Sequence, residues 1–207
     1  MSNKNLIIVG VSGASGSGKS LLSHSIVDDL GSERVVVITE DCYYKNQQEL
    51  TLCERENTNY DHPKQFEHSL LEKHIKELLD GQDATIPTYD FTTHTRSNKT
   101  LTINHETSII ILEGILIFHD KRLRKLMDIK IYVDTPLDIS LLRRMQRDVS
   151  ERGRTIDSVI KQYRKTVRPM YIKYIQPTRR YADIIIPRGG KNRVAIDIIR
   201  AKMRELV

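Results

Sequence analysis

The chain has 207 residues, 39% of them hydrophobic and 29% charged, with a net charge of +6. That length suits one α/β domain whose sheet is covered on both faces. No apolar run approaches the roughly 18 residues of a membrane helix, which excludes a helical membrane protein, and two cysteines, Cys42 and Cys53, make neither a disulfide framework nor a tetrahedral zinc site.

Met1–Asn5 run directly into an apolar stretch with no signal-peptide pattern, so a reducing cytoplasm is the expected location. Leu6–Val11 is a continuous apolar run before glycines, the pattern of a strand buried on both faces of a parallel sheet. Beyond Lys19, the spacing of Leu21, Leu22, Ile26, Val27 and Leu30 predicts a helix ending at Gly31. Val35–Ile38 reads as a second buried strand that ends at Thr39-Glu40-Asp41, and Leu70–Leu79 as a helix stopped at Gly81.

The stretch 84–103 breaks this rhythm. Thr85–Phe91 and Lys99–Ile103 are short and alternating, joined by a polar segment, and predict an antiparallel hairpin attached to the main sheet. Strands are then expected at Ile109–Leu112, Ile129–Asp134 and Ile184–Ile186, with helices over Leu137–Val149, Thr155–Tyr181 and Val194–Leu206. Strand alternating with helix along a single domain, 1–207, predicts a doubly wound, mainly parallel α/β sheet with helices on both faces. Ligands in such sheets lie beyond the carboxyl ends of the strands, where Lys19, Asp41 and Glu113 fall.

Gly13-Ala14-Ser15-Gly16-Ser17-Gly18-Lys19-Ser20 matches the phosphate-loop pattern GxxxxGK[ST] in full. Its glycines let backbone N–H groups turn toward phosphate oxygens, Lys19 reaches the β- and γ-phosphates, and the Ser20 hydroxyl suits Mg²⁺. A buried strand before the loop and an amphipathic helix after it give the context the motif requires. Glu113 ends an all-aliphatic strand, as a carboxylate serving Mg²⁺ or its water does; a strand-end cap or an ion pair with an arginine is the alternative. Asp41 has two readings, a base for an acceptor hydroxyl or a turn cap.

Arg143, Arg144, Arg147, Arg152 and Arg154 crowd one helix and the turn after it, with Arg144 and Arg147 on one face. They read as a lid over a transferring phosphate, or as a solvated helix laced by pairs such as Arg147–Glu151. A nucleic-acid surface fits less well, because acidic residues interleave and no RNA-binding signature accompanies them.

Taken together the motifs resemble the uridine kinase (uridine-cytidine kinase) family, closely its bacterial members, over about Ile7–Leu206. They are Gly10–Ser20, Glu40–Lys45, Asn59–Pro63, Tyr89–Arg96, Leu112–Leu116, Arg147–Arg154 and Tyr181–Gly190. The resemblance implies a P-loop kinase fold with the hairpin 84–103 over the acceptor and an arginine-bearing lid across 143–165. It implies transfer of the γ-phosphate of ATP or GTP to the 5′-hydroxyl of uridine or cytidine, giving UMP or CMP in pyrimidine salvage. In those terms Asp41 is the base, and Lys19, Arg147 and Arg152 act on the transferred phosphoryl group. Ser20 and Glu113 serve Mg²⁺, and Arg147, Arg152 and Arg154 contact donor phosphates. Asp61 and Arg144 hold the ribose, while Tyr44, Tyr60, Tyr89 and Phe91 frame the pyrimidine. Tyr89 and His94 read its 4-position edge, and Gln162 lies near the acceptor.

Tyr60 stands where animal members carry Phe, and Tyr43 likewise replaces a common Phe; the resemblance implies that ring stacking survives both. His94 implies that uridine and cytidine are both substrates. The resemblance further implies a homotetramer inhibited by UTP and CTP, with no nucleic-acid or membrane partner. The competing readings are a phosphoribulokinase- or pantothenate-kinase-like enzyme, which lacks the Tyr89–Arg96 pattern, and a nucleic-acid-coupled ATPase or nucleotide switch.

Overall fold

The computed structural model describes residues 6–206; the reading of Met1–Asn5 lies outside them. Five parallel strands form the main sheet: β1 (Ile7–Gly13), β2 (Val35–Thr39), β5 (Ile109–Gly114), β6 (Ile129–Asp134) and β7 (Ile184–Pro187). Their order is β2-β5-β1-β6-β7, with Val9 opposite both Ile111 and Ile129 in register. Each central strand alternates between two buried layers, as a sheet covered on both faces must. On one side Val9, Val11, Ile109 and Ile111 pack against Leu22 and Ile26 of α1 (Lys19–Leu30) and Ile196, Ile199 and Met203 of α8 (Arg193–Arg204). On the other, Ile8, Ile38, Ile110 and Leu112 meet Leu71, Ile75 and Leu78 of α3 (His68–Leu79) and Leu123 of α4 (Lys121–Leu126).

The hairpin corrects one expectation. β3 (Ala84–Asp90) and β4 (Thr95–Ile103) pair antiparallel as a separate two-stranded sheet, not as an extension of the main one. The hairpin is joined to the body through its root, where Ala84, Ile86 and Ile103 are buried in the core beside α3. Strand β4 also begins four residues earlier than its apolar pattern shows. The polar run Thr95–Asn98 still supplies ladder partners, Tyr89 opposite Arg96 and Asp90 opposite Thr95. A register shift falls between Pro87 and Tyr89, where proline offers no N–H.

The helical stretch after α5 (Leu137–Ser150) is not one α-helix over Thr155–Tyr181. Thr155 caps α6 (Ile156–Gln162) with its side chain, and two wide π turns follow, Tyr163–Val167 and Tyr171–Ile175, separated by α7 (Arg168–Met170). Each π turn contains the residue four before a proline, Lys165 before Pro169 and Lys173 before Pro177. A proline ring clashes with the carbonyl four residues back, and widening the turn relieves that clash without ending the helix. The short helix α2 (Leu52–Glu56) was not legible from periodicity; a reciprocal Thr51/Glu54 capping box starts it.

Candidate active site

Strand β1 delivers the chain into the phosphate loop, and the loop delivers it into α1. Gly18 caps that helix with φ 95°, a left-handed conformation that costs glycine little. A Cβ at Gly18 would sit 2.8 Å from the Gly190 nitrogen, so close packing also demands glycine there. The loop is braced from behind by residues outside the motif: the Thr135 hydroxyl donates to the Ser17 carbonyl at 2.8 Å, and Arg143 reaches the same oxygen at 3.4 Å. Arg143 thus belongs to the loop's support. Lys19 is buried and donates from Nζ to the Gly13 and Ala14 carbonyls at 3.2 and 2.9 Å. Burial pushes its pKa down, with Glu113 and Asp41 pulling the other way; a lysine tied only to neutral carbonyls is poised to exchange them for an anion.

Glu113 ends β5 and is buried, and its Oε1 accepts a hydrogen bond from Ser20 Oγ at 2.5 Å. No arginine pairs with it among the described residues, so the ion-pair alternative falls away. Among the described residues no cluster of three or more His, Cys, Asp or Glu is arranged around a metal. A hydroxyl and one carboxylate oxygen are instead the hard, sparse donor set that suits Mg²⁺ arriving on a nucleotide, since that ion keeps water and phosphate oxygens as its other ligands. The residues present fit the ion.

Asp41 lies in a 3₁₀ turn, Glu40–Tyr43, directly beyond β2. Its carboxylate accepts no hydrogen bond from the described residues, which does not support the turn-cap reading. Burial pushes its pKa up to about 6, reinforced by the Glu40 charge and opposed by Arg152 and Lys19. Glu40, to which the sequence assigns no role of its own, is the fully buried anchor of the turn: it accepts from His68 Nε2 at 2.8 Å and from the Leu116 N–H at 2.9 Å. A side chain at Gly114 would collide with it.

A cavity of about 590 Å³ opens beside Asp41. Every acceptor-side residue proposed from the sequence borders it: Asp41, Tyr44, Tyr60, Asp61, Tyr89, Phe91, His94, Arg144 and Gln162, together with Arg147, Arg152 and Arg154. Ser15 of the phosphate loop lines the same space, so the cavity is continuous with the loop. The aromatic wall is built edge to face, Tyr44 against Tyr60 at 5.1 Å and Tyr89 against Phe91 at 5.1 Å between ring centroids. The Tyr89 hydroxyl is buried with only the Tyr60 hydroxyl as a polar neighbour, one already donating elsewhere, and burial, reinforced by Tyr60, drives its pKa far up. A buried, under-satisfied hydroxyl in a cavity wall favours a ligand with a polar edge. Asp61 is buried as well, with no hydrogen-bond partner among the described residues; burial raises its pKa against the pull of Arg144.

The arginines converge on Asp148, a fully buried carboxylate in the last turn of α5. Arg147 donates twice to its Oδ1, at 3.0 and 2.7 Å, while Arg144, Arg152 and Arg154 approach within 3.4–3.7 Å. Burial alone would raise the Asp148 pKa; Arg144 and Arg147 outweigh it and hold it low. Arg147 therefore pairs with Asp148 and not with Glu151, correcting the solvated-helix alternative. Arg144 also donates to Ser15 Oγ at 2.8 Å and to Gln162 Oε1 at 3.0 Å, and Arg154 donates to the same Gln162 oxygen. Arg152 stacks its guanidinium 4.1 Å above the Phe91 ring, joining the arginine turn to the hairpin tip.

A phosphate loop, a hydroxyl–carboxylate pair suited to Mg²⁺ and an arginine-walled cavity beside them fit the needs of a small-molecule kinase. The sequence model of the Phosphoribulokinase / Uridine kinase family matches residues 8–195. The chain belongs to this family. Uridine kinase of Tolumonas auensis is 52% identical over 99% of this chain and 97% of its own length. Uridine kinase of Pectobacterium atrosepticum is 55% identical, over 96% of this chain and 95% of its own. Phosphoribulokinase of Rhodobacter spheroides shares the fold, with a TM-score of 0.66 at 18% identity, covering 89% of this chain and 71% of that one. As a member of this family the chain is a kinase with a P-loop fold. Among the described residues no helix is long and apolar enough to cross a membrane, and both cysteines are free.

Proposed function

We propose that the chain transfers the γ-phosphate of ATP or GTP to the 5′-hydroxyl of uridine and of cytidine, forming UMP and CMP in cytoplasmic pyrimidine salvage. The observation that carries this reading is the aromatic cavity bordered at once by Asp41, Asp61, the buried Tyr89 hydroxyl, His94 and Ser15 of the phosphate loop. A pyrimidine nucleoside offers matching chemistry: a flat face for the rings, a polar base edge for Tyr89 and His94, and ribose hydroxyls for Asp61 and Arg144. The T. auensis and P. atrosepticum relatives carry the name uridine kinase, which supports the same assignment.

In the proposed reaction Asp41 accepts the 5′-hydroxyl proton as that oxygen bonds to the γ-phosphorus and the bond to the nucleoside diphosphate breaks. A carboxylate with a pKa near 6 is ionised at neutral pH yet basic enough to take a proton in the transition state. Lys19 and the loop N–H groups hold the β- and γ-phosphates, and Arg147, Arg152 and Arg154 surround charge that spreads over the transferring oxygens. Ser20 and Glu113 would hold Mg²⁺, which would supply charge neutralisation at the phosphates. Burial depresses the His94 pKa, so its ring is neutral at pH 7 and presents one donor and one acceptor, suiting uracil O4 or cytosine N4.

The test is a nucleoside panel with Mg²⁺ and ATP or GTP, read as 5′-monophosphate formed. Product with uridine and cytidine is expected; product only with a sugar phosphate or pantothenate would assign the site to a different acceptor. The proposed tetramer and inhibition by UTP and CTP are measured on the same preparation by sedimentation and by titration of the triphosphates.

A further inference from the structure

The Tyr60 hydroxyl does something its ring does not. It lies 3.2 Å from the backbone carbonyl of His94 and 3.3 Å from Gln47 Oε1, and donates to this pair of acceptors. His94 is at the hairpin tip with φ 51°, a left-handed conformation that is unfavourable for a residue with a Cβ. The preceding carbonyl, that of Thr93, is held in the same way by Arg55 Nη1 at 3.0 Å. Arg55 is itself fixed by the Gln47 and Gln48 carbonyls at 2.8 and 2.9 Å. Gln47 is buried, and its backbone N–H donates to Thr95 Oγ1 at 3.2 Å, one residue past the tip. The segment 47–60 therefore grips three consecutive hairpin residues, and among the described residues the hydrogen bond to the His94 backbone carbonyl comes from the Tyr60 hydroxyl. The rings of Tyr60 and His94 stack at 5.6 Å with 21° between planes.

We propose that the Tyr60 hydroxyl is a specificity-determining positioning group, which fixes the strained backbone of His94 so that its imidazole meets the base edge already oriented. The inference rests on the nucleoside reading above and deepens it. With the hydroxyl present, the ring is ordered before substrate arrives; without it, that ordering is charged to nucleoside binding. The donor side of the site is untouched by this bond.

Tyr60→Phe keeps the ring and removes only the hydroxyl, and thermal melts confirm folding. The nucleoside KM is expected to rise about 3–10-fold, the effect of losing one neutral hydrogen bond, while kcat and the KM for ATP move less than about twofold. A double-mutant cycle with His94→Ala tests the route, because an alanine side chain leaves no imidazole to orient. In the His94→Ala background, Tyr60→Phe is expected to have no further effect on nucleoside KM. An unchanged KM in Tyr60→Phe, or equal effects of that substitution in the parent and in the His94→Ala variant, overturns the proposal. If His94→Ala alone leaves nucleoside KM and the uridine/cytidine ratio unchanged, base reading by His94 fails instead, and the proposal with it. If no nucleoside is phosphorylated by the parent chain, the functional reading fails first.

Discussion

Replacing Asp41 with Asn removes a charge that the fold holds at an energetic cost. The carboxyl is moved from an ordinary 3.8 to about 6, chiefly by burial and then by the neighbouring Glu40 charge. Roughly two pKa units correspond to about 3 kcal/mol between protonation states. Solvent screening in the open cavity reduces this, leaving about 1–2 kcal/mol as the expected gain from the neutral isostere. For a chain of this size that is a rise in Tm of about 2–8 °C at pH 7.5. The sign follows from linkage. The native carboxyl has the higher pKa, so its ionisation destabilises the native state; the penalty is full above about pH 6 and gone below about pH 4. The Tm advantage of the variant should therefore shrink as pH falls from 7 to 4. Over the same substitution, kcat should drop by roughly 10²–10⁴, the usual weight of a positioned base. Calorimetric melts across pH and steady-state turnover at saturating uridine measure both. A variant that melts lower than the parent at pH 7.5, or that retains kcat, refutes the reasoning.

The acid limb of kcat/KM for the parent should fall with an apparent pKa near 6 as Asp41 takes its proton; a limb near 4 would remove Asp41 as the titrating group. Lys19→Ala should abolish transfer, read as UMP formed in a coupled assay. Asp148→Asn leaves four guanidiniums around a neutral side chain and should cost about 3 kcal/mol of stability, seen as a lower urea midpoint. His94→Gln should alter the uridine/cytidine ratio of kcat/KM, checked with the two nucleosides in competition.

What the sequence displayed well was whatever local periodicity or spacing encodes. The phosphate loop, the aliphatic strands and the carboxylates at their ends depend on neighbours in the chain, so they could be placed directly. Glu40 could not, because its partners His68 and Leu116 are 28 and 76 residues away. The start of β4 was hidden because Thr95–Asn98 are polar and strand pairing there is backbone bonding to β3, which leaves no apolar alternation. The π turns escaped because they are responses to Pro169 and Pro177, visible only once the helix is known to continue past both. Asp148 had no role in the sequence, where Glu151 was the partner visible for Arg147; that four arginines share Asp148 is a fact of three dimensions. The aromatic residues gave little on their own, since Tyr and Phe in strands mostly signal packing, and only their convergence on one cavity separates them from core residues.

The hairpin divides the labour of the molecule. Its root is sunk in the core beside α3, while its tip carries Phe91 and His94 to the cavity. The phosphate loop, Glu113 and Asp41 hang from the main sheet, which the hairpin does not join. Substitutions at His94 can therefore redraw which acceptor is welcomed while the phosphate loop and Glu113 stay as they were, whereas Phe91, on which Arg152 rests, ties the tip to the arginine turn. In a chain assembled this way, selectivity can drift faster than chemistry.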